Sequence, residues 1–127
     1  MSLTKSSRPK LIFHAQAYPF ITDALTVAQD AFGRDKRNEA GGHILPRELL
    51  EGVRQLGQRR YGMMAPSVFR SWGIFSTADF GRIVFEMIEL GDMKKTEQDQ
   101  FSDFVDVYSF DDAFNTDYAI DVSKAFK

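Results

Sequence analysis

Prolines and glycines divide the central part of the chain into four segments of helical length. The prolines that begin two of these segments are Pro46 and Pro66, and the glycines that end the four segments are Gly33, Gly62, Gly73 and Gly91. Proline is tolerated in the first turn of a helix, where its missing N–H would be unpaired anyway, and glycine commonly ends a helix. The spacing therefore predicts four successive helices, over residues 15–32, 46–61, 65–72 and 76–90.

The apolar residues within these segments recur at three- and four-residue steps, as expected for helices with one buried face. The broadest apolar face belongs to the fourth helix, where Ser76 or Thr77 is a candidate N-cap. The second helix contains Gly52 and Gly57, each of which costs about 1 kcal/mol relative to alanine. We expect these two glycines to allow another helix to pack closely.

After Gly91 the pattern changes from helical spacing to short alternating runs. Residues 92–96 and 105–110 are candidate strands around an acidic loop, and residues 111–114 begin a short helix. This order predicts an α+β, mostly helical fold: a winged helix-turn-helix-like core with an extra N-terminal helix and a short C-terminal hairpin. In that arrangement the helix over 76–90 is the recognition helix and the hairpin is the wing. A small helical bundle with an irregular C-terminal part fits the same pattern.

Composition limits the class of protein. The chain has 127 residues, 43% of them hydrophobic, including 12 phenylalanines, and it has no cysteine. Such a chain can bury a core without disulfides or thiolate metal sites. There is neither an apolar run of membrane-spanning length nor the apolar region of a signal peptide, so we expect a cytoplasmic protein with no membrane contact. We expect residues 1–10 to form a mobile tail and residues 11–127 a single domain.

Charge is distributed unevenly. Residues 1–70 contain 11 Lys or Arg against 6 Asp or Glu, whereas residues 71–114 contain 3 against 10. The predicted recognition helix is therefore acidic and would be repelled by DNA phosphates. The leading hypothesis is a non-enzymatic protein–protein interaction module that binds another protein, or a second copy as a homodimer, through apolar and acidic surface. The candidate contact residues are Arg82, Glu86, Glu89, Phe101 and Phe104.

The alternative hypothesis is a nucleic-acid-associated regulator that uses the basic N-terminal half. Its contact residues would be Arg34, Lys36, Arg37, Arg59 and Arg60. This hypothesis requires the five side chains to converge on one face, so scattered positions would count against it.

An enzyme is the third hypothesis, and the sequence contains none of the common nucleotide-binding, hydrolase or metalloprotease motifs. His43 with Glu48 is the one acid–base pair that local spacing suggests. The acidic residues between 97 and 112 lack EF-hand spacing, although they could attract a cation. No catalytic, metal or cofactor-binding residue is predicted, and no cofactor. An enzyme would need a concave pocket that holds His43 or paired carboxylates.

Four stretches carry a family resemblance: HILPRELLEG (43–52), SWGIFSTADFGRIVFEMIEL (71–90), KTEQD (95–99) and YSFDDAF (108–114). They resemble an uncharacterised family of short bacterial proteins, found mainly in planctomycete and verrucomicrobial lineages, with no assigned activity. The resemblance covers roughly residues 14–114. It departs at Leu45-Pro46, where the family tends to have a capping serine and a glycine, and at Asp92-Met93, where the family is more apolar. The resemblance implies one intact domain with an acidic second half and nothing about mechanism.

Overall fold

The computed structural model describes residues 12–34, 43–94 and 99–114, and the predicted mobile tail over 1–10 lies outside these ranges. Within them the chain forms five α-helices and two 3₁₀ turns. The helices are α1 (Ala17–Ala31), α2 (Pro46–Tyr61), α3 (Ala65–Ser71), α4 (Thr77–Glu89) and α5 (Phe110–Phe114), and the 3₁₀ turns are Gly62–Met64 and Phe101–Phe104. No helix within these ranges combines the length and the apolar composition that a membrane span requires.

Helices α1 and α2 form an antiparallel pair. At one end Arg60 of α2 lies 2.8 Å from Asp23 of α1, and at the other end Arg34, just after α1, lies 2.5 Å from Glu48 of α2. Residue numbers therefore fall along one helix as they rise along the other. The two ion pairs bracket an apolar contact between the helices.

The contact between α1 and α2 is close because Gly52 has no side chain. A Cβ atom at this position would overlap the backbone carbonyl oxygen of Ala24 and come within 3.0 Å of the Cβ of Ala28. The backbones of the two helices can approach only with small residues here. Gly57, one and a half turns later, lies against the rings of aromatic residues from α3 and α5, whose nearest atoms would be 3.0–3.2 Å from an added Cβ. The prediction that these glycines permit close packing is confirmed.

The centre of the core is an aromatic cluster around Phe69 of α3. Its ring centroid lies 5.1–5.6 Å from those of Phe20, Phe80, Phe110 and Phe114, all in edge-on geometry. Each of these five rings is 6% exposed or less. Edge-on pairs add about 0.5–1.5 kcal/mol beyond burial. The short α3 thus joins α1, α4 and α5 into one core.

The predicted winged helix with a C-terminal hairpin is wrong, since the described residues contain helices and irregular segments but no strand. The start of the first predicted strand instead caps the C-terminal end of α4, because the N–H groups of Asp92 and Met93 both donate to the carbonyl of Met87. The second predicted strand is interrupted at Asp106, whose φ of 52° lies in the left-handed region. Helices joined by irregular segments match the alternative, the small helical bundle.

The polar groups after the second 3₁₀ turn are satisfied by helices, which explains why no hairpin is needed. The N–H of Val107 donates to the hydroxyl of Thr77, and the hydroxyl of Tyr108 donates to the carbonyl of Leu50. Burial raises the pKa of Tyr108, because the ionised phenolate would lose its hydration there. Val107 and Tyr108 of this segment pack against the core without strand pairing, whereas Val105 is exposed.

Candidate functional site

One outward side of α4 carries charged residues that form ion pairs or hydrogen bonds with other residues of the chain. Asp79, Arg82 and Glu86 lie at relative positions 0, 3 and 7, which places them on one side of the helix. The guanidinium of Arg82 lies 2.5 Å from the carboxylate of Asp79 and 5.6 Å from the centre of the Phe101 ring. The arginine therefore links the start of α4 to the second 3₁₀ turn.

Two highly exposed apolar side chains flank this side of α4. Phe75 is 67% exposed and Ile12 is 68% exposed, the two highest values among the large apolar residues described. The N–H of Phe75 donates to Asp79 at 2.8 Å, and the N–H of Ile12 donates to Glu86 at 3.2 Å. Both exposed side chains are thus attached to backbone that α4 holds in place. We call Ile12, Phe75, Asp79, Arg82, Glu86 and Phe101 the α4 face.

Tyr18 of α1 supports the α4 face from beneath. Its hydroxyl donates to the Glu86 carboxylate at 2.5 Å and accepts the N–H of Phe13 at 3.1 Å. Burial, together with the hydrogen bond to Glu86, raises the pKa of Tyr18 to about 12. One carboxylate therefore joins α1, α4 and the segment that carries Ile12.

The structure separates the five predicted interaction residues. Arg82, Glu86 and Phe101 belong to the α4 face, and Glu89 is exposed near the end of α4. Phe104 is only 2% exposed, because its side chain packs against Gly81, where a Cβ would lie 2.7 Å from it. Phe104 is therefore a core residue and is not accessible to a partner. Phe75 and Ile12 were not predicted from the sequence, since exposure of a single apolar residue has no periodic signal.

The described members of the predicted basic set lie apart from one another. Two of the five lie outside the described part of the chain: Lys36 and Arg37. Arg34 binds Glu48 in the first turn of α2, whereas Arg59 and Arg60 lie in its last turn. Twelve residues of helix separate the two places, which corresponds to about 18 Å. The described arginines therefore mark opposite ends of α2.

The opposite side of α4 borders a pocket of about 360 Å³, between α4, α1 and the start of α2. Most of its lining is apolar: Leu25, Ile44, Pro46, Leu49, Val84, Phe85, Ile88, Met93 and Phe104. Its polar lining residues are Gln29, His43, Asp92, Lys94 and Asp99. Apolar walls with a few polar groups are typical of small-molecule sites.

A histidine–aspartate pair lies in the wall of this pocket. Nε2 of His43 is 3.1 Å from Oδ2 and 3.3 Å from Oδ1 of Asp99. Asp99 is 8% exposed and is the one buried charged residue in the described part of the chain. A buried carboxylate is costly unless it is paired, and His43 supplies a hydrogen-bonding partner. The predicted partner of His43, Glu48, is instead bonded to Arg34 and to the N–H of Leu45.

The chemistry around the pair is limited by its neighbours. No serine, threonine, tyrosine or cysteine is among the described residues that line the pocket, so none of these residues supplies a hydroxyl or thiol nucleophile to the pair. Across the three described ranges, no three histidine or carboxylate side chains come close enough together to hold a metal ion. The pocket therefore offers shape, apolar contact and hydrogen bonding through His43.

Comparison with known proteins found no protein-family model, no curated protein and no solved structure that matches this chain.

Proposed function

We propose that this protein is a protein–protein interaction module that binds a partner through the α4 face. The observation that carries the proposal is the pair of exposed side chains, Phe75 and Ile12, whose backbone N–H groups are bonded to carboxylates of α4. An exposed apolar residue on mobile backbone would lose entropy on binding. Side chains attached to fixed backbone lose less, and this increases affinity.

The charges of the α4 face indicate the partner's chemistry. Asp79 is neutralised by Arg82, but Glu86 and Glu89 form no ion pair with the described residues. Complementary charge speeds association and excludes partners of like charge. The proposed partner is therefore a protein segment in which apolar side chains, which contact Phe75 and Ile12, are flanked by lysine or arginine.

The test is selection of binding peptides from a random library displayed on phage, with the full chain as bait. We expect enriched peptides to combine an apolar residue with lysine or arginine. Their affinity should fall at least about tenfold for Phe75→Ser, since loss of a large apolar anchor costs about 1.5–3 kcal/mol.

Met63→Ser is the matched control, because Met63 is 63% exposed and lies on the 3₁₀ turn that packs on α2, α3 and α5. It should leave peptide affinity unchanged. Peptides that bind Phe75→Ser as tightly as the unaltered chain would contradict the proposal. So would a dimer in light scattering that Phe75→Ser converts to monomer, because the face would then bind a second copy.

The nucleic-acid hypothesis is not favoured, because the described arginines at 34 and 60 lie at opposite ends of α2 and each is paired with a carboxylate. Membership of the planctomycete and verrucomicrobial family stays a prediction. It would add no activity to the proposal, since that family has none assigned.

A further inference from the structure

We infer that the pocket between α1 and α4 binds a small, largely apolar molecule that carries one uncharged hydroxyl group, donated to Nδ1 of His43. The inference concerns the other side of α4 and does not depend on the partner proposed for the α4 face.

The size of the pocket is sufficient for a ring-containing ligand. Its volume is about 360 Å³. For comparison, an engineered apolar cavity of only ~150 Å³ in another protein stays dry and binds benzene. Leu25 of α1 and Val84 and Ile88 of α4 supply apolar walls from two sides. A ligand body without charges is therefore expected.

The polar end of the ligand follows from the tautomer of His43. Nε2 lies within hydrogen-bond distance of the Asp99 carboxylate, so a neutral imidazole that donates to this carboxylate carries its proton on Nε2 and presents Nδ1 as an acceptor. Nδ1 has no hydrogen-bond partner among the described residues, and the side chain of His43 is 25% exposed beside the pocket. The ligand group that satisfies Nδ1 must donate a hydrogen bond.

The charges of the lining exclude an anion and favour a neutral donor. The buried carboxylate of Asp99 already contacts Nε2 of His43, and a carboxylate ligand would place a second negative charge beside it. Lys94 and Asp92 have opposite charge and are both solvent-exposed, so solvent screens them. A hydroxyl donates without bringing a charge that must be desolvated, and an alcohol or phenol therefore fits best.

The experiment compares three probes that share one ring system: 2-naphthol, 2-methoxynaphthalene and 2-naphthoate, each titrated into the full chain by calorimetry. We expect 2-naphthol to bind most tightly. The methoxy compound has no donor, and loss of one hydrogen bond should weaken its binding about threefold to tenfold. The carboxylate should bind more weakly still. Equal or tighter binding of either analogue, or no detectable binding of 2-naphthol, would overturn the inference.

Two variants locate the site. Leu25→Trp places a larger side chain in the pocket wall and should abolish 2-naphthol binding. Val27→Trp is its control, since Val27 is also partly buried on α1 but does not line the pocket. His43→Phe should remove the preference for 2-naphthol over the methoxy compound. If that variant does not fold, because Asp99 loses its bond to His43, the Leu25→Trp result still decides, and unchanged binding there would refute the site.

Discussion

Helix α1 contacts two other helices in different ways. Against α2 it presents Ala24 and Ala28 to Gly52, so the two backbones touch. Against α4 it presents Leu25, which lines a pocket together with Val84 and Ile88. Side-chain size thus determines whether a contact is closed or leaves space. The closed contact stabilises the fold, and the open one provides room for a ligand.

The most severe test of the closed contact is Gly52→Ala. The added methyl group would overlap the carbonyl of Ala24, which belongs to backbone and cannot rotate away. This steric overlap should lower the unfolding free energy by about 3 kcal/mol. The loss outweighs the ~1 kcal/mol that alanine gains over glycine in helix propensity. Urea denaturation followed by circular dichroism measures the change.

Gly57→Ala is the control for this substitution, since it lies in the same helix with the same propensity gain. Its neighbours are ring atoms of Phe69 and Phe114 at 3.0–3.2 Å, which need to move only slightly. Its loss should be clearly smaller than that of Gly52→Ala. A Gly52→Ala variant as stable as Gly57→Ala would show that the helices can separate at no cost.

The hydrogen bond between Tyr18 and Glu86 ties α1 to α4 at one end of the open contact. Tyr18→Phe should lower the unfolding free energy by about 1.5 kcal/mol, the lower end of the range for a hydrogen bond to a charged acceptor. It should also increase amide hydrogen exchange at Ile12 and Phe13, which this cluster holds. Tyr108→Phe loses a bond to a neutral carbonyl and should cost less, about 1 kcal/mol. The reverse order would mean that Tyr18 does not tie the helices.

Alkaline pH should weaken the same tie. The pKa of Tyr18 is raised from 10.0 to about 12, so its neutral form is favoured in the folded state. The stabilisation is complete below the unfolded value of 10.0 and is lost as the pH rises to about 12. Urea midpoints measured across this range should fall more for the unaltered chain than for Tyr18→Phe. Identical slopes for the two proteins would contradict the assignment.

The ion pair at the exposed end of the closed contact should matter least. Both side chains of Arg60–Asp23 are more than 40% exposed, and exposed pairs typically contribute about 0.2–1 kcal/mol. Arg60→Gln should therefore change the unfolding free energy by about 0.5 kcal/mol or less, and the difference should vanish in high salt. A larger loss would mean that charge, and not Gly52, closes the contact.

Local sequence signals predicted the helices because these signals act within a few residues. Pro46 and Gly62 predict both ends of α2 correctly, and the apolar spacing after Ser76 predicts α4. The prediction of a hairpin was wrong because alternating valines give the same sequence pattern in a segment that pairs with a strand and in one that packs on helices. The decisive contact, from Val107 to Thr77, spans 30 residues.

The pocket could not be predicted from the sequence for a similar reason. His43 and Asp99 are 56 positions apart, and each has nearer residues that satisfy a local interpretation. Only packing of α4 against α1 and α2 brings them together. The charge pattern predicted some residues of the α4 face. Phe75 could not be predicted in this way, because its role depends on its exposure in the folded structure.

The claim that α1 and α4 enclose a ligand site is tested most directly by nuclear Overhauser effects between 2-naphthol and the methyl groups of the protein. We expect contacts from the naphthol ring to the methyl groups of Leu25, Val84 and Ile88, which line the pocket. Contacts to Ile12 or Met63, or to no methyl group, would contradict it.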